Sequence, residues 1–352
     1  MSAINASQDG AATAAGGPAS EAKLHRTPVL MDVDTGVDDA LALVLAVRAP
    51  QLDLRAVTCV AGNGPIDTVV DATLRVLEAA GAAPELPVGA GFDRPLVEPV
   101  HFAPVIHGED CLGDLTPKLP TPTRVACGKH ATQLIIETLE RLGKSEKLTI
   151  IALAPLTNLA VAIRLRPDLF RSNVEKIVWM GGAVMRGGNY RPWAEANAAY
   201  DPEATHIVLS SGVPLMMYPW DAYLDVEFSR AELELLGAQD PSEGACTHGG
   251  PELCARLLHR EMRNWRKETA GLGDAGAVLC MMYPEVCEMR HLPVSVELTG
   301  TRTRGMTVVD LRTFADPPDE PMGQPNVHIV MEVNPLLMKQ YFAEIVFSGK
   351  PV

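Results

Sequence analysis

The chain has 352 residues, 47% hydrophobic and 21% charged, enough to bury a sizeable core and too apolar for disorder of the whole. A formal net charge of −14 excludes nucleic-acid binding driven by counterion release, which needs clustered Lys and Arg, and suits a neutral small molecule or a cation as partner. Seven scattered cysteines without a C-x-x-C pair read as reduced thiols, and no run of about 18 apolar residues occurs, so a cytoplasmic protein without a membrane span is expected.

Residues 1–26 are rich in Ala, Ser and Gly and lack the cationic start and apolar stretch of a signal peptide; they read as a flexible tail before one domain at 27–352. An apolar run at 28–33 reads as a strand, followed by an acidic turn and a helix-prone stretch at 40–47. The alternation continues with strand 54–60, helix 65–80, strand 86–88, helix 130–142, strand 148–153 and helix 156–164. Strand 176–180, helix 202–211 and strand 214–218 come next. This spacing implies right-handed βαβ units, hence a single α/β domain with a mainly parallel central sheet flanked by helices on both faces.

Two long loops have the length of functional loops: the proline-rich 91–123, which carries His107-Gly108-Glu109-Asp110, and the Ser/Gly/Pro-rich 237–251. An amphipathic helix at 251–267 follows. Strands are expected at 293–298 and 303–309 with Thr299-Gly300 as a hairpin turn, then a strand at 327–333 and a helix to about 347.

Asp32-Val33-Asp34-Thr35-Gly36-Val37-Asp38-Asp39 puts four carboxylates in eight residues at the carboxyl end of the first expected strand, the edge where α/β sheets hold ligands. Like charges this close stay ionised together only beside a cation or a set of hydrogen-bond donors. All-oxygen ligands point to a hard ion such as Ca²⁺ or Mg²⁺. A helix N-terminus alone favours one or two carboxylates, not four. An EF-hand loop needs Gly sixth and Glu twelfth, whereas Gly36 is fifth from Asp32 and Leu43 is twelfth. A haloacid-dehalogenase-like phosphatase stays open at this point. It too starts with an apolar strand and D-x-D-x-T/V, and Gly273-Asp274 resembles its later metal motif; Asp32 would be the nucleophile, Asp34 a general acid and Mg²⁺ the metal.

Further motifs decide between these readings. They are Val60-Ala61-Gly62-Asn63, Ala154-Pro155-Leu156-Thr157-Asn158-Leu159-Ala160, Met180-Gly181-Gly182-Ala183, Asn189 through Ala194-Glu195-Ala196-Asn197, and Asp201-Pro202-Glu203-Ala204. In this order and spacing, 28–347 resembles the nucleoside hydrolase family. The resemblance implies a Rossmann-like fold, a homodimer or homotetramer, and hydrolysis of the N-glycosidic bond of a small-molecule ribonucleoside to ribose and free base, with a Ca²⁺-bound water activated by Asp34. It implies Ca²⁺ held by the carboxylates of Asp34, Asp39 and Asp274 and the backbone carbonyl of Leu153. Asp38 and Asn197 would bind ribose hydroxyls, Asn189 and Glu195 the 5′-hydroxyl end, and Met180 would line the sugar pocket. Asn63 would support the metal-site carboxylates, and Asp32 would stand behind them. These residue types suit the chemistry, because positive charge grows on the ribose as the bond breaks and nearby carboxylates stabilise it.

The sequence departs from the family at Gly273, where many members carry a histidine that protonates the leaving base. His107 is the candidate substitute acid, and Trp265, Trp193 or Trp220 the candidates to stack on the base. The loss of the histidine leans toward purine nucleosides, and it also keeps open a catalytically impaired nucleoside-binding protein.

Overall fold

The structure is a computed structural model, and the residues it describes are 26–143, 145–239, 244, 246, 249–313 and 323–348. The tail expected through residue 26 lies outside them except for Arg26, as does part of the loop expected at 237–251. The strands are β1 (Thr27–Val33), β2 (Leu52–Cys59), β3 (Val88–Ala90), β4 (Leu148–Ala152), β5 (Val174–Met180) and β6 (Leu215–Tyr218). They continue with β7 (Glu227–Ser229), β8 (Thr269–Gly271), β9 (Cys287–Leu292), β10 (Val294–Val296), β11 (Thr307–Val309) and β12 (Val327–Val333).

Eight strands form the central sheet in the order β3-β2-β1-β4-β5-β6-β12-β9, and every pairing is parallel except β12 with β9. The inner strands are buried on both sides, which is why they read as near-continuous apolar runs. Successive side chains still alternate between two cores. Val29, Met31, Val33, Ile151 and Val178 pack on one face with the helices Val37–Arg48, Ile66–Ala80, Gly250–Trp265 and Ala275–Met282. Leu30, Ile150, Ile177 and Trp179 pack on the other with Ala131–Glu140, Thr157–Leu165 and Pro202–Leu209. The result is the single α/β domain that the alternation of elements predicts.

The strand order reverses between β1 and β4, so the loops after these strands diverge to opposite faces and leave a crevice at their carboxyl ends. Asp34 leaves β1 at that point and Leu153 leaves β4, and Leu153 N–H donates to Asp32 O at 2.9 Å.

Five features differ from expectation. The first helix starts at Val37 rather than 40, which puts Asp38 and Asp39 in its first turn, where the macrodipole favours negative charge. The hairpin expected at Thr299-Gly300 is wider. Its strands β10 and β11 have only three residues each, and Gly305 between them, at φ +84, packs so closely that a Cβ there would stand 2.6 Å from Ala199 Cα. The antiparallel edge strand β9 and the helix Ala275–Met282 were not expected: β9 is exposed along Glu288–His291, and AGAVLCMM is buried all round and has no helical period. The loop expected at 91–123 holds a short helix, Pro104–His107, and a 3₁₀ turn, Thr116–Lys118.

Candidate active site

The carboxylates of the acidic turn are held in place by backbone amides and one asparagine. Asn63 N–H donates to Asp34 Oδ2 at 2.8 Å; Gly36 N–H and Asn63 Nδ2 donate to Asp39 Oδ2 at 2.8 and 3.2 Å. The other oxygen of each, Asp34 Oδ1 and Asp39 Oδ1, is buried with no hydrogen-bond partner, and so is Asp38 Oδ1. Asp38, Asp39 and Asp274 each bring one oxygen within 4.8 Å of the others. Asp34 stands beside this trio rather than in it, so the convergence brings in Asp38, which the sequence placed on the sugar side. Burial pushes Asp34, Asp39 and Asp274 well above the usual carboxylate range, and neighbouring aspartate charges push them further. Buried anionic oxygens without a partner are costly, and an all-oxygen donor set of this kind fits a hard divalent cation. The Leu153 carbonyl accepts Asn197 Nδ2 at 3.0 Å and keeps a second lone pair.

Asp32 lies behind the cluster. It is fully buried; its Oδ1 accepts Thr58 Oγ1 at 2.6 Å and Asn158 Nδ2 at 2.8 Å, and burial raises its pKa to about 6. Both donors engage the same oxygen of Asp32, which suits a support for the cluster better than a nucleophile. The phosphatase reading, which needs it as nucleophile, is not favoured by this placement.

A cavity of about 460 Å³ opens over the carboxylates. Asp38, Asn63, His107, Leu153, Met180, Asn189, Glu195, Asn197, Trp265 and Asp274 line it, so one site gathers residues spread over more than two hundred positions of the sequence. Asp34 and Asp39 sit beneath this lining. A larger cavity, about 830 Å³, lies by β10 and β11 among Ser210, Ser295, Asp310 and Arg312 and holds no converging carboxylates among the described residues, so size does not mark the chemistry here.

On the inferred sugar side, Asn197 Nδ2 bonds both the Leu153 and Met180 carbonyls, at 3.0 and 3.1 Å. Glu195 caps the helix Ala196–Tyr200. Its two oxygens accept Gly182 N–H at 2.7 Å, Asn197 N–H at 2.8 Å and Ala198 N–H at 3.1 Å, and burial raises its pKa to about 7. Asn189 Oδ1 accepts Ala196 N–H at 2.9 Å, so both residues fix the segment that carries Asn197.

His107 is buried, and its Nδ1 accepts Val37 N–H at 3.2 Å. That nitrogen therefore carries no proton, and the ring proton sits on Nε2. Asp38 Oδ1 lies 3.8 Å from Nδ1, beyond hydrogen-bond range. Burial lowers the imidazole pKa, so His107 is a neutral donor through Nε2 rather than a charged acid. Arg260 pins its loop by donating to Ile106 O and Gly113 O, each at 2.8 Å.

Aromatic rings form the rest of the wall. Trp265 is half exposed, Trp220 and Tyr223 lie 4.7 Å apart at 33°, and Phe102, Tyr190 and Tyr200 complete the lining. Trp193 is not among the lining residues. Tyr223 carried no motif in the sequence; only its place three residues past Trp220, after a buried strand, hinted that it faces the sheet edge.

Close packing explains the glycines. A Cβ on Gly62 would stand 2.0 Å from Asp34 Oδ2, and one on Gly36 would stand 2.4 Å from His107 Nδ1. Gly62→Ala is expected to cost roughly 1–3 kcal/mol of stability through overpacking. It should also lower kcat/KM by about 10²-fold through displacement of Asp34. Thermal melts and steady-state kinetics check both, and unchanged kinetics would show that the Asp34 position does not matter.

The sequence model of inosine-uridine preferring nucleoside hydrolases matches residues 29–340. The pyrimidine-specific ribonucleoside hydrolase RihA of Citrobacter koseri is 37% identical over 290 residues, 80% of this chain and 88% of that relative. RihA of Shigella boydii is 34% identical over 314 residues, 87% and 94% of the two chains. Among solved structures, the purine-preferring ribonucleoside hydrolase from Gardnerella vaginalis matches with a TM-score of 0.79 at 25% identity, covering 92% of this chain and 99% of that one. An inosine-guanosine nucleoside hydrolase matches at 0.80 and 28%, covering 91% and 98%.

Proposed function

The chain belongs to the inosine-uridine preferring nucleoside hydrolase family and hydrolyses the N-glycosidic bond of ribonucleosides, and from that premise we propose how its own residues do so. The proposed metal is Ca²⁺, held by the carboxylates of Asp34, Asp39 and Asp274 and by the Leu153 carbonyl. The observation that carries this reading is the set of buried, unpartnered oxygens Asp34 Oδ1, Asp38 Oδ1 and Asp39 Oδ1 below an aromatic-walled cavity. When bound, the cation supplies a lower pKa to water in its shell and direct bonds to sugar hydroxyls.

Asp34 is the general base. Asn63 N–H occupies its Oδ2 and leaves Oδ1 to accept a proton from the attacking water. Asp38 and Asn197 bind the ribose hydroxyls, Met180 packs on the sugar, and Asn189 and Glu195 shape the 5′-hydroxyl end by fixing the segment before Asn197. The carboxylates also stabilise the positive charge that develops on the ribose. Trp265 and Trp220 sandwich the base, and His107 donates its Nε2 proton as a hydrogen bond to the leaving group. Aromatic walls reward the larger ring, so purine nucleosides are the proposed preference.

The family resemblance extends the proposal to a homodimer or homotetramer. The described cysteines are all free, which suits the reducing cytoplasm. No helix among the described residues is long and apolar enough to cross a membrane.

Release of reducing sugar from inosine, adenosine, uridine and cytidine and their 2′-deoxy counterparts tests this reading. Removing a hydroxyl that a buried polar site is built to bind is expected to lower kcat/KM on the order of 10⁴-fold. Equal turnover of ribo and 2′-deoxy substrates would overturn the sugar site, and a clear preference for uridine would overturn the purine assignment.

A further inference from the structure

The two oxygens of Asp38 have different surroundings. Oδ2 accepts the Tyr223 hydroxyl at 3.0 Å, while Oδ1 is buried without a partner. The terminal torsion of an aspartate is broad and roughly two-fold, so by itself it does not choose which oxygen faces the substrate. A hydrogen bond to one oxygen makes that choice. Tyr223 is well placed to do so, because it is itself held. Its ring packs on Trp220, its N–H donates to Pro219 O at 3.1 Å, and Trp220 N–H donates to Gly182 O at 2.9 Å.

The departure at Gly273 belongs to the same arrangement. The backbone there is left-handed, φ +62, and a Cβ would stand 2.6 Å from Asp38 Cβ and 3.3 Å from both the Tyr223 hydroxyl and its ring edge. The room that a side chain at this position would need is filled by the Asp38–Tyr223 pair.

We propose that Tyr223 is a positioning residue for the hydrolysis: its hydroxyl locks the Asp38 carboxylate with Oδ1 turned to the ribose, and glycine at 273 makes room for the pair. This rests on the sugar-binding role given to Asp38 above. Tyr223 touches the substrate only through Asp38 in this scheme and transfers no proton.

A double-mutant cycle of Tyr223→Phe and Asp38→Ala separates the two claims, with kcat, KM and the calorimetric Kd for free ribose measured at one fixed calcium concentration. Phenylalanine keeps the ring on Trp220, so the melting temperature should stay close to wild type. A hydrogen bond to a charged group corresponds to roughly a 10- to 100-fold effect, expected here as a rise in KM and in the ribose Kd with a smaller change in kcat. In the Asp38→Ala background, Tyr223→Phe should add nothing, because its only route to the sugar is gone. Additive effects, or wild-type KM and ribose affinity in Tyr223→Phe beside an impaired Asp38→Ala, overturn the positioning role. Wild-type ribose affinity in Asp38→Ala overturns instead the sugar-binding reading beneath it.

Discussion

Asp34→Asn is expected to cripple nucleoside hydrolysis, lowering kcat by about 10²- to 10⁴-fold, the range set by loss of a positioned general base. The replacement has the same shape, and its amide oxygen can still accept Asn63 N–H, which now bonds Oδ2 at 2.8 Å. What it loses is the charge and basicity of Oδ1, a buried atom with no other partner. The variant also makes an unusual stability prediction. Asp34 is buried beside Asp38 and Asp39, and both burial and those charges oppose its ionisation in the folded chain. Without a divalent ion, the neutral amide should leave the protein at least as stable as wild type. Reducing-sugar release and thermal melts in chelator check the two halves. More than about 1% residual turnover would sink the general-base assignment, because a base effect of this size leaves less. A large drop in the metal-free melting temperature would mean that the carboxylate supports the fold rather than the chemistry.

Stripping divalent ions with a chelator is expected to bring activity to background, and calcium to restore it. The same treatment should expose a pH dependence of stability with a definite sign. Burial raises the folded pKa of Asp34, Asp39 and Asp274 well above 3.8, that of Asp32 from 3.8 to about 6, and that of Glu195 from 4.5 to about 7. A carboxyl whose folded pKa exceeds its unfolded value binds its proton more tightly when folded. Its contribution is fully present below the unfolded pKa and is lost as pH rises through the folded one. The metal-free protein should therefore melt at a lower temperature at pH 8 than at pH 6. Calcium binds only the folded cluster, and at 100 times its Kd it stabilises by about 2.7 kcal/mol. It should remove most of the difference, leaving the part due to Asp32 and Glu195, which lie outside the proposed ligand set. Full activity in chelator, or a metal-free melting temperature that climbs from pH 6 to pH 8, would refute the cation site.

The sheet was legible because inner parallel strands are apolar on both faces and the intervening helices keep to one stripe, so β1, β4 and β5 announce themselves within a few residues. The edge strand β9 and the helix Ala275–Met282 were not legible, for opposite reasons. One is too polar to look like a strand, and the other is too uniformly apolar to show a period. The hairpin β10–β11 was placed correctly along the chain but closed too tightly, and Gly305 in its loop lies against Ala199, about a hundred residues away, a neighbour that local pattern does not reveal.

By itself the sequence determined the α/β architecture, the acidic turn at the end of β1, and the set of side chains proposed for a sugar and a cation, because each of these is written in local pattern or in motifs of fixed spacing. Only the tertiary structure decided how those groups divide the work. It brought Asp38 into the trio with Asp39 and Asp274, tied Glu195 into a helix cap, left His107 neutral with its proton on Nε2, and set Tyr223 against Asp38 across 185 positions of chain. The physical reason is that a role depends on partners, burial and hydrogen-bond direction, and these exist only once distant segments share the same few ångströms.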